Sequence, residues 1–448
     1  MSKINNTNQF KLVYPTKKEN FKKDTDGKVI LPEEFKAINY LNEVYDFRFN
    51  IVQERMELKE VKSDEWKFIQ DRDLNTFNVG IKAKGITITK DYLKTFFDSR
   101  FVKPFHPFQS FFETLPTWDG KTDYIQLLAN SVSTTNNPVW YMFLKKWLVG
   151  TCRCSIYPEY NNDYSLVLFG GQGVGKTRWI QSLIPKELRA YFYTGVINFN
   201  DKDSLRRMAS GFIIFIDEID SYSRHEIPKL KALMTQPDVL YRKAYGVFEN
   251  KYPRTSSFIS ATNNPLYLKD DSGNRRFLTV EVIDAKFEHN VDMKLVYAQI
   301  YALAKDASYQ SFFDTEETRL IQQENKRFQY KTELQIQLEE HFSIPTVGDP
   351  NAVFMMPQEI KQYIEFEMGG TNFDVNLIGK AMVKLGFKRV PNGSGKSKRT
   401  GYYLIKRNVT SPNTNHQLNS ITKETDEELV EQVWGTEVDT PQCLTPQQ

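Results

Sequence analysis

Four short apolar runs constrain the fold of this 448-residue chain more than any other feature. They cover residues 165–169, 211–217, 256–262 and 276–282. Each run is apolar without regular polar alternation and is bounded by turn residues, which is typical of strands buried on both faces of a parallel sheet. Helical patterns lie between the runs. The sequence therefore predicts an α/β fold with a parallel sheet.

A glycine-rich loop follows the first run, and a helical segment begins after it. The loop matches the phosphate-binding P-loop pattern G-x-x-x-x-G-K-[ST], in which backbone N–H groups and a lysine hold phosphates and a hydroxyl binds Mg²⁺. A chance match is expected about once in a hundred chains of this length. We expect ATP and Mg²⁺ as cofactors. The predicted nucleotide-binding residues are Gly170, Gly171, Gln172, Gly173, Val174, Gly175, Lys176, Thr177 and Arg178.

Polar side chains also end the next two runs. Asp217 ends the second run and Glu218 follows it, where they would hold Mg²⁺ and activate the attacking water, respectively; a solvated strand end is the alternative. Asn263 follows the third run, where an amide can sense the γ-phosphate, although the Asn264-Pro265 pair after it is an ordinary turn signal. We predict Lys176, Asp217, Glu218 and Asn263 as catalytic residues. Thr177 and Asp217 are the predicted Mg²⁺ ligands.

Basic and aromatic residues alternate between the second and third strands. Residues 239–254 suit a hairpin, and rings interleaved with cations are typical of single-stranded nucleic-acid binding. An exposed charged hairpin is an equally good interpretation of the composition. Further on, Arg275 and Arg276 precede the last strand; they are either a surface pair or the source of an arginine finger in a neighbouring subunit.

Residues 351–408 predict a small winged-helix-like domain, because two helical segments precede a basic Gly/Ser loop and a strand. The loop would bind phosphates, whereas a protein–protein role is the alternative. Residues 409–448 hold seven acidic side chains and one lysine, so the net charge of this tail is −6. Because the whole chain has a net charge of +3, residues 1–408 have a net charge of +9. A basic body fits a protein that binds a polyanion.

Composition excludes other classes of function. Three cysteines and five histidines do not support a disulfide framework or metal-ligand chemistry as the main function. No window approaches the about 18 consecutive apolar residues of a membrane helix, and the N-terminus lacks an apolar signal core. We therefore expect no membrane partner.

The segments GGQGVGKT, IDEID, YRKAYG, SATNNP and DSGNRRF, within about residues 100–345, resemble the virulence-associated protein E family and, more broadly, the superfamily 3 helicase branch of AAA+ ATPases. The resemblance implies a homo-oligomeric ring, often a hexamer, that moves on single-stranded or forked DNA in a bacterial cytoplasm. It also implies that the protein acts in the replication of a phage or mobile element, with a separate primase as a partner. The resemblance further implies that Arg275 or Arg276 is the arginine finger that reaches the nucleotide of a neighbouring subunit. The predicted DNA contacts are Lys243, Lys251, Arg254, Lys396, Lys398 and Arg399.

The predicted organisation has five parts. They are a polar and mixed region at 1–100, a helical domain at 101–160, a P-loop ATPase core at 161–345, a winged-helix-like domain at 351–408 and a disordered acidic tail at 409–448. The leading function is an ATP-hydrolysing DNA helicase. The alternatives are an ATP-switched DNA-binding initiator or helicase loader without unwinding activity, and a defence or virulence-associated ATPase.

Overall fold

The chain folds into two compact units, Met1–Tyr330 and Lys331–Gln448. The computed structural model describes residues 11–407 except 15–16, 18–19, 200, 243–247, 271–272, 347, 368–371 and 394–398. The expected disordered tail at 409–448 lies outside the described residues. The expected boundary between 345 and 351 differs from the division at Tyr330, because a helix and a short strand before residue 345 pack within the second unit.

Both units mix helices and strands. The first unit has helices α1 Glu33–Val44, α2 Asp71–Ala83, α3 Lys90–Phe97, α4 Pro107–Glu113, α5 Tyr124–Ala129, α6 Asn137–Ile156, α7 Lys176–Ser182, α8 Lys202–Ser210, α9 Glu226–Thr235, α10 Met293–Lys305 and α11 Thr315–Asn325. Its strands are β1 Tyr45–Asn50, β2 Arg55–Glu60, β3 Lys67–Phe68, β4 Pro104–Phe105, β5 Val132–Thr134, β6 Ser165–Phe169, β7 Phe192–Thr194, β8 Ile213–Ile216, β9 Asp238–Arg242, β10 Glu249–Pro253, β11 Ser257–Thr262 and β12 Phe277–Ala285.

The four apolar runs form the centre of a six-stranded sheet with the order β5-β12-β6-β11-β8-β7. Strand β6 pairs in parallel with β12 and β11, and β8 pairs in parallel with β11 and β7. The edge strand β5 pairs antiparallel with β12. The predicted parallel sheet is confirmed, and its apolar strands are buried because helices cover both faces.

Helix α6 shares one hydrophobic core with the sheet. Its apolar residues recur at helical spacing, and Trp140 and Trp147 are fully buried in that core. The Trp147 indole N–H donates to the carbonyl of Phe258 in β11 at 3.0 Å, which ties the helix directly to the sheet. Residues 101–160 are therefore continuous with the sheet rather than a separate compact unit.

The region before residue 106 has a sheet and core of its own within the first unit. Its four strands have the order β3-β2-β1-β4, and β1 pairs antiparallel with β2. Helices α1, α2 and α3 contribute Leu41, Phe77 and Phe97 to an apolar cluster with Phe47 of β1. This part of the chain is the mixed region expected at 1–100, and its buried aromatic residues explain why it is compact.

The second unit contains three helices and a small antiparallel sheet in its described part. Its elements are α12 Glu333–His341, β13 Phe342–Ser343, β14 Val353–Met355, α13 Pro357–Glu367, α14 Val375–Lys384, β15 Arg389–Asn392 and β16 Arg399–Lys406. Strands β13, β14 and β15 all pair antiparallel with β16. Ile360, Ile378 and Leu404 lie in one buried cluster that joins the helices to this sheet.

Among the described residues, the helices are too short or too polar to span a bilayer. The same part of the chain contains no group of three or more histidine, cysteine and acidic side chains arranged to hold a metal ion. Cys152 and Cys154 are both buried, and they do not form a disulfide bond.

Candidate functional site

The predicted catalytic side chains meet at one edge of the central sheet. Strands β6, β11 and β8 are neighbours and run in parallel, so the residues that follow them lie side by side. A pocket of about 470 Å³ opens there. Its lining consists of residues 172–178 of the glycine-rich loop, Asp217, Glu218, Ala261, Thr262, Asn263 and Phe287. The structure thus brings together residues that are up to 115 positions apart in the sequence, from Gln172 to Phe287.

Lys176 lies at the centre of this arrangement. Its ammonium group donates hydrogen bonds to the carbonyls of Gly170 and Gly171, at 2.7 and 2.8 Å, and to the side-chain oxygen of Asn263 at 2.7 Å. Burial lowers the pKa of Lys176 from its ordinary value, while the nearby Asp217 carboxylate opposes that shift. The cation is therefore oriented by the loop and by the end of β11.

The backbone of the loop requires glycine where it turns into α7. Gly175 has φ +91°, and a β-carbon there would lie 2.3 Å from the carbonyl oxygen of Ala285. Gly173 also has a positive φ of +85°. This close approach leaves Lys176 at the first position of α7, where free helix N–H groups and the helix dipole favour an anion. Thr177 and Arg178 follow on that helix and line the pocket.

The acidic turn after β8 is held in an uncommon conformation. Glu218 has φ +57°, a left-handed backbone that non-glycine residues rarely adopt. Asp220 accepts a 2.6 Å hydrogen bond from the hydroxyl of Thr262, the last residue of β11. Lys269 donates to the carbonyls of Asp220 and Tyr222 at 2.7 and 2.9 Å. These contacts fix the turn that carries Asp217 and Glu218.

Thr262 and Lys269 were missed by the sequence interpretation. Thr262 also accepts a hydrogen bond from the backbone N–H of Asn264 at 3.0 Å, so one hydroxyl links the acidic turn to the segment after β11. Asn264 itself accepts from the N–H of Leu266, as expected for a turn. The polar end of the third apolar run was the only signal in the sequence for Thr262, and none pointed to Lys269.

Arg275 and Arg276 lie at the amino-terminal ends of the parallel strands, opposite the ends that carry the pocket. They precede β12, whose first residue Phe277 is aligned with Ser165 at the start of β6. A five-residue strand spans about 16 Å, and this length separates the backbone of these arginines from the loop that follows β6. They line a separate pocket of about 450 Å³ together with Gln322. The structure does not bring them to the site of their own chain.

The predicted hairpin is confirmed, because β9 and β10 pair antiparallel. Arg254 is not a DNA contact, however, since it is only 1% exposed. Its guanidinium donates to interior acceptors, which are the carbonyls of Gln236, Ser256, Asn162 and Met234 and the side chain of Asn161. Burial lowers the pKa of Arg254 from its ordinary value. The residue holds the base of the hairpin to the ends of neighbouring elements.

The remaining predicted DNA contacts have different positions. Lys251 is exposed on β10 and forms a 2.6 Å ion pair with Asp238. Arg399 is exposed at the start of β16. Lys243, Lys396 and Lys398 lie outside the described residues. Two aromatic rings of the hairpin, which were expected to stack on bases, pack against each other instead. Tyr241 is buried, and its ring stacks on that of Tyr252 with the centroids 4.3 Å apart.

Comparisons with known proteins agree with the motifs over the central part of the chain. Residues 112–332, just under half of the chain, match the model of the Virulence-associated protein E-like domain. Among solved structures, the apo C-terminal region of NrS-1, residues 305–718, is 12% identical and has a TM-score of 0.47. An A-form apo structure of the same region is 11% identical with a TM-score of 0.48. Each alignment covers 84% of this chain and 100% of that chain. The comparison with curated proteins gave no match.

Proposed function

We propose that the chain is an ATP-hydrolysing DNA motor of the superfamily 3 helicase type, acting in replication of a phage or mobile genetic element. The observation that carries this proposal is the meeting of Lys176, Asn263 and the Asp217–Glu218 pair around one pocket. In open α/β sheets, ligands bind at the carboxyl ends of the strands, where this pocket lies. The match of residues 112–332 to the Virulence-associated protein E-like domain supports the proposal.

The side chains of the pocket fit a nucleoside triphosphate with Mg²⁺. The backbone of the loop and Lys176 would bind the phosphates, and the oxygens of Thr177 and Asp217 are the hard ligands that Mg²⁺ prefers. Bound Mg²⁺ would neutralise phosphate charge. Glu218 would orient the attacking water and accept its proton, while Asn263 would sense the γ-phosphate and hold Lys176 in place.

The proposed motor is a homo-oligomeric ring. Arg275 and Arg276 lie at the sheet edge away from the pocket of their own chain, so they would act on the nucleotide of a second copy. DNA would pass the exposed end of the β9–β10 hairpin, where Lys251 lies. In the second unit, the order of helices followed by an antiparallel β15–β16 hairpin supports a winged helix, with Arg399 at its DNA-binding loop.

The test is ATP hydrolysis by the full-length protein with and without single-stranded DNA, followed by strand separation on a forked duplex. We expect Lys176→Ala to abolish hydrolysis, because the charge that stabilises the phosphates is lost. Glu218→Gln should lower kcat at least about 100-fold while ATP binding is retained. Lys186→Ala, which removes an exposed lysine outside the pocket, is the matched control and should behave as wild type.

Each outcome separates the candidate functions. Failure of the wild-type protein to hydrolyse ATP under either condition would reject the motor. Hydrolysis and DNA binding without strand separation would favour the loader. Native mass measurement of the same sample with an ATP analogue would show whether a ring forms.

A further inference from the structure

Phe287 lines the candidate pocket, and the proposed hydrolysis gives it no role. Among the lining residues that the structure describes, it is the one with an aromatic ring. Its side chain is half-buried and packs against the core that lies under the sheet. The ring is therefore an apolar surface in a pocket whose other functional groups are polar or charged.

The chain just before Phe287 is fastened to the glycine-rich loop. The backbone N–H of Ala285 donates to the carbonyl of Val174 at 2.9 Å, and the N–H of Lys286 donates to the carbonyl of Ser131 at 2.9 Å. Two residues of extended chain cover about 7 Å at most, so the backbone of Phe287 cannot be farther than that from Ala285. Phe287 therefore lies beside the loop that would bind the phosphates.

The chain just after Phe287 is held by His289. The Nδ1 atom of His289 accepts the backbone N–H of Val291 at 3.2 Å, and its Nε2 atom lies 3.2 Å from the hydroxyl of Ser182 in α7. That hydroxyl donates to the carbonyl of Trp179 at 2.7 Å, so the imidazole N–H is the donor in the pair with Ser182. Burial lowers the pKa of His289, which favours this neutral form. Phe287 is thus anchored on both sides, and less side-chain freedom is lost when a ligand packs on its ring.

The side chain of Arg178 shows that a planar group fits on this ring. Arg178 is an exposed residue in the first turn of α7, and the centre of its guanidinium is 5.1 Å from the ring centroid of Phe287. At this distance a cation is attracted to the face of an aromatic ring. A nucleobase is also planar, and it stacks both on aromatic rings and on guanidinium groups. Because Arg178 is exposed, it can move outward to admit a base between itself and Phe287.

The order of the sheet separates Phe287 from the polar strand ends. Phe287 follows β12, which pairs with one side of β6, whereas β11 pairs with the other side and β8 lies beyond it. The polar lining side chains outside the loop all lie at the ends of β8 and β11, and they are Asp217, Glu218, Thr262 and Asn263. Selection between bases needs hydrogen-bonding groups at the edge of the base, whereas every base has a face that can stack. We therefore expect stacking with little selection between bases.

We propose that Phe287 and Arg178 hold the base of the bound nucleotide by stacking, so that the site accepts adenine and guanine nucleotides alike. The proposal rests on the proposed function for the choice of a nucleotide as the ligand. It adds the position of the base in the pocket and the substrate class, which is purine nucleoside triphosphates rather than ATP alone. The loop would recognise the phosphates, and the ring would add affinity.

The test measures binding of ADP, GDP and inorganic tripolyphosphate to the full-length protein with Mg²⁺ by titration calorimetry. We expect Phe287→Ala to bind ADP and GDP each roughly tenfold more weakly, as for one lost base stack. Its affinity for tripolyphosphate, which has no base, should equal that of the wild type. Phe287→Trp keeps a ring face and should retain the affinity for both nucleotides. Phe312→Ala is the matched control, because it removes an exposed ring outside the pocket.

Four results would overturn the stacking role. They are wild-type protein that binds neither nucleotide, unchanged nucleotide affinity in Phe287→Ala, an equal loss for tripolyphosphate, and a loss confined to ADP or to GDP. Phe287→Leu repeats the titration with an apolar side chain of similar burial if the alanine variant unfolds early in a thermal melt.

Hydrolysis of ATP and GTP is measured in parallel, and Phe287→Ala should raise KM for both while kcat is retained, as for a contact made equally in the ground and transition states. If the wild type binds ADP through Phe287 but hydrolyses nothing with or without DNA, the motor fails and the stacking role stands. If the wild type hydrolyses ATP and Phe287→Ala has an unchanged KM, the stacking role fails and the motor stands.

Discussion

The glycine-rich loop and the base of the β9–β10 hairpin each hold a buried cation, and their surroundings differ. Lys176 is 7% exposed, and it lines an open pocket together with Asn263, one of its three hydrogen-bond acceptors. Arg254 is 1% exposed, and its acceptors are interior carbonyls and an amide. Both residues were candidates for contact with phosphates. The comparison teaches that burial alone does not separate a cation that lines an open pocket from one that is enclosed in the interior; the accessibility of its surroundings does.

The largest expected effect on stability is at the hairpin base. Arg254→Met should lower the free energy of unfolding by about 3 kcal/mol or more, because several buried oxygens lose their donor at once. Denaturant unfolding measures this change. Arg242→Met, which removes an exposed arginine of β9, is the control and should stay within about 0.5 kcal/mol of wild type. Equal stability of the two variants would contradict the structural role of Arg254.

A smaller loss is expected at the loop. Gly175→Ala should destabilise the protein by about 2 kcal/mol, because the backbone has a positive φ and the new methyl group would meet the carbonyl of Ala285. Gly171→Ala is the matched control, since a β-carbon there would make only an ordinary contact at 3.7 Å with Val174. A melt that shows the same loss for both substitutions would mean that the tight approach at Gly175 has no energetic consequence.

The link between the acidic turn and β11 should affect the proposed hydrolysis more than stability. Thr262→Val keeps the shape but removes the hydroxyl that donates to Asp220 and accepts from Asn264. We expect about tenfold lower kcat for ATP hydrolysis, with KM nearly unchanged and a stability loss of about 1 kcal/mol. Thr262→Ser should restore most of the rate. A normal kcat in the valine variant would show that Thr262 does not position Glu218.

The smallest effect is expected at the exposed end of the hairpin. Lys251→Ala breaks a surface ion pair with Asp238, so it should change stability by less than about 0.5 kcal/mol. Single-stranded DNA should bind about two- to threefold more weakly, with a salt dependence reduced by about 0.7, as for one lost phosphate contact. Lys186→Ala serves again as the control. If Lys251→Ala matches that control in DNA affinity, Lys251 does not contact the strand.

Local patterns in the sequence predicted the strands and the glycine-rich loop that form the candidate site. Apolar runs without alternation gave parallel strands, and the loop from Gly170 to Thr177 appeared between a strand and a helix as expected. The polar residues that end β8 and β11 lie beside Lys176 because parallel neighbours end at the same edge. These predictions were possible because hydrophobic burial and backbone conformation are encoded within a few neighbouring residues.

The sequence by itself determined the α/β class, the composition of the candidate pocket and the basic character of residues 1–408. Only the tertiary structure decided that Arg254 is enclosed and that Thr262 donates a hydrogen bond to Asp220 across 42 positions. The physical reason is the range of the interactions. Strand and loop preferences are local, whereas the partner of a buried or exposed polar group depends on which distant elements pack against it.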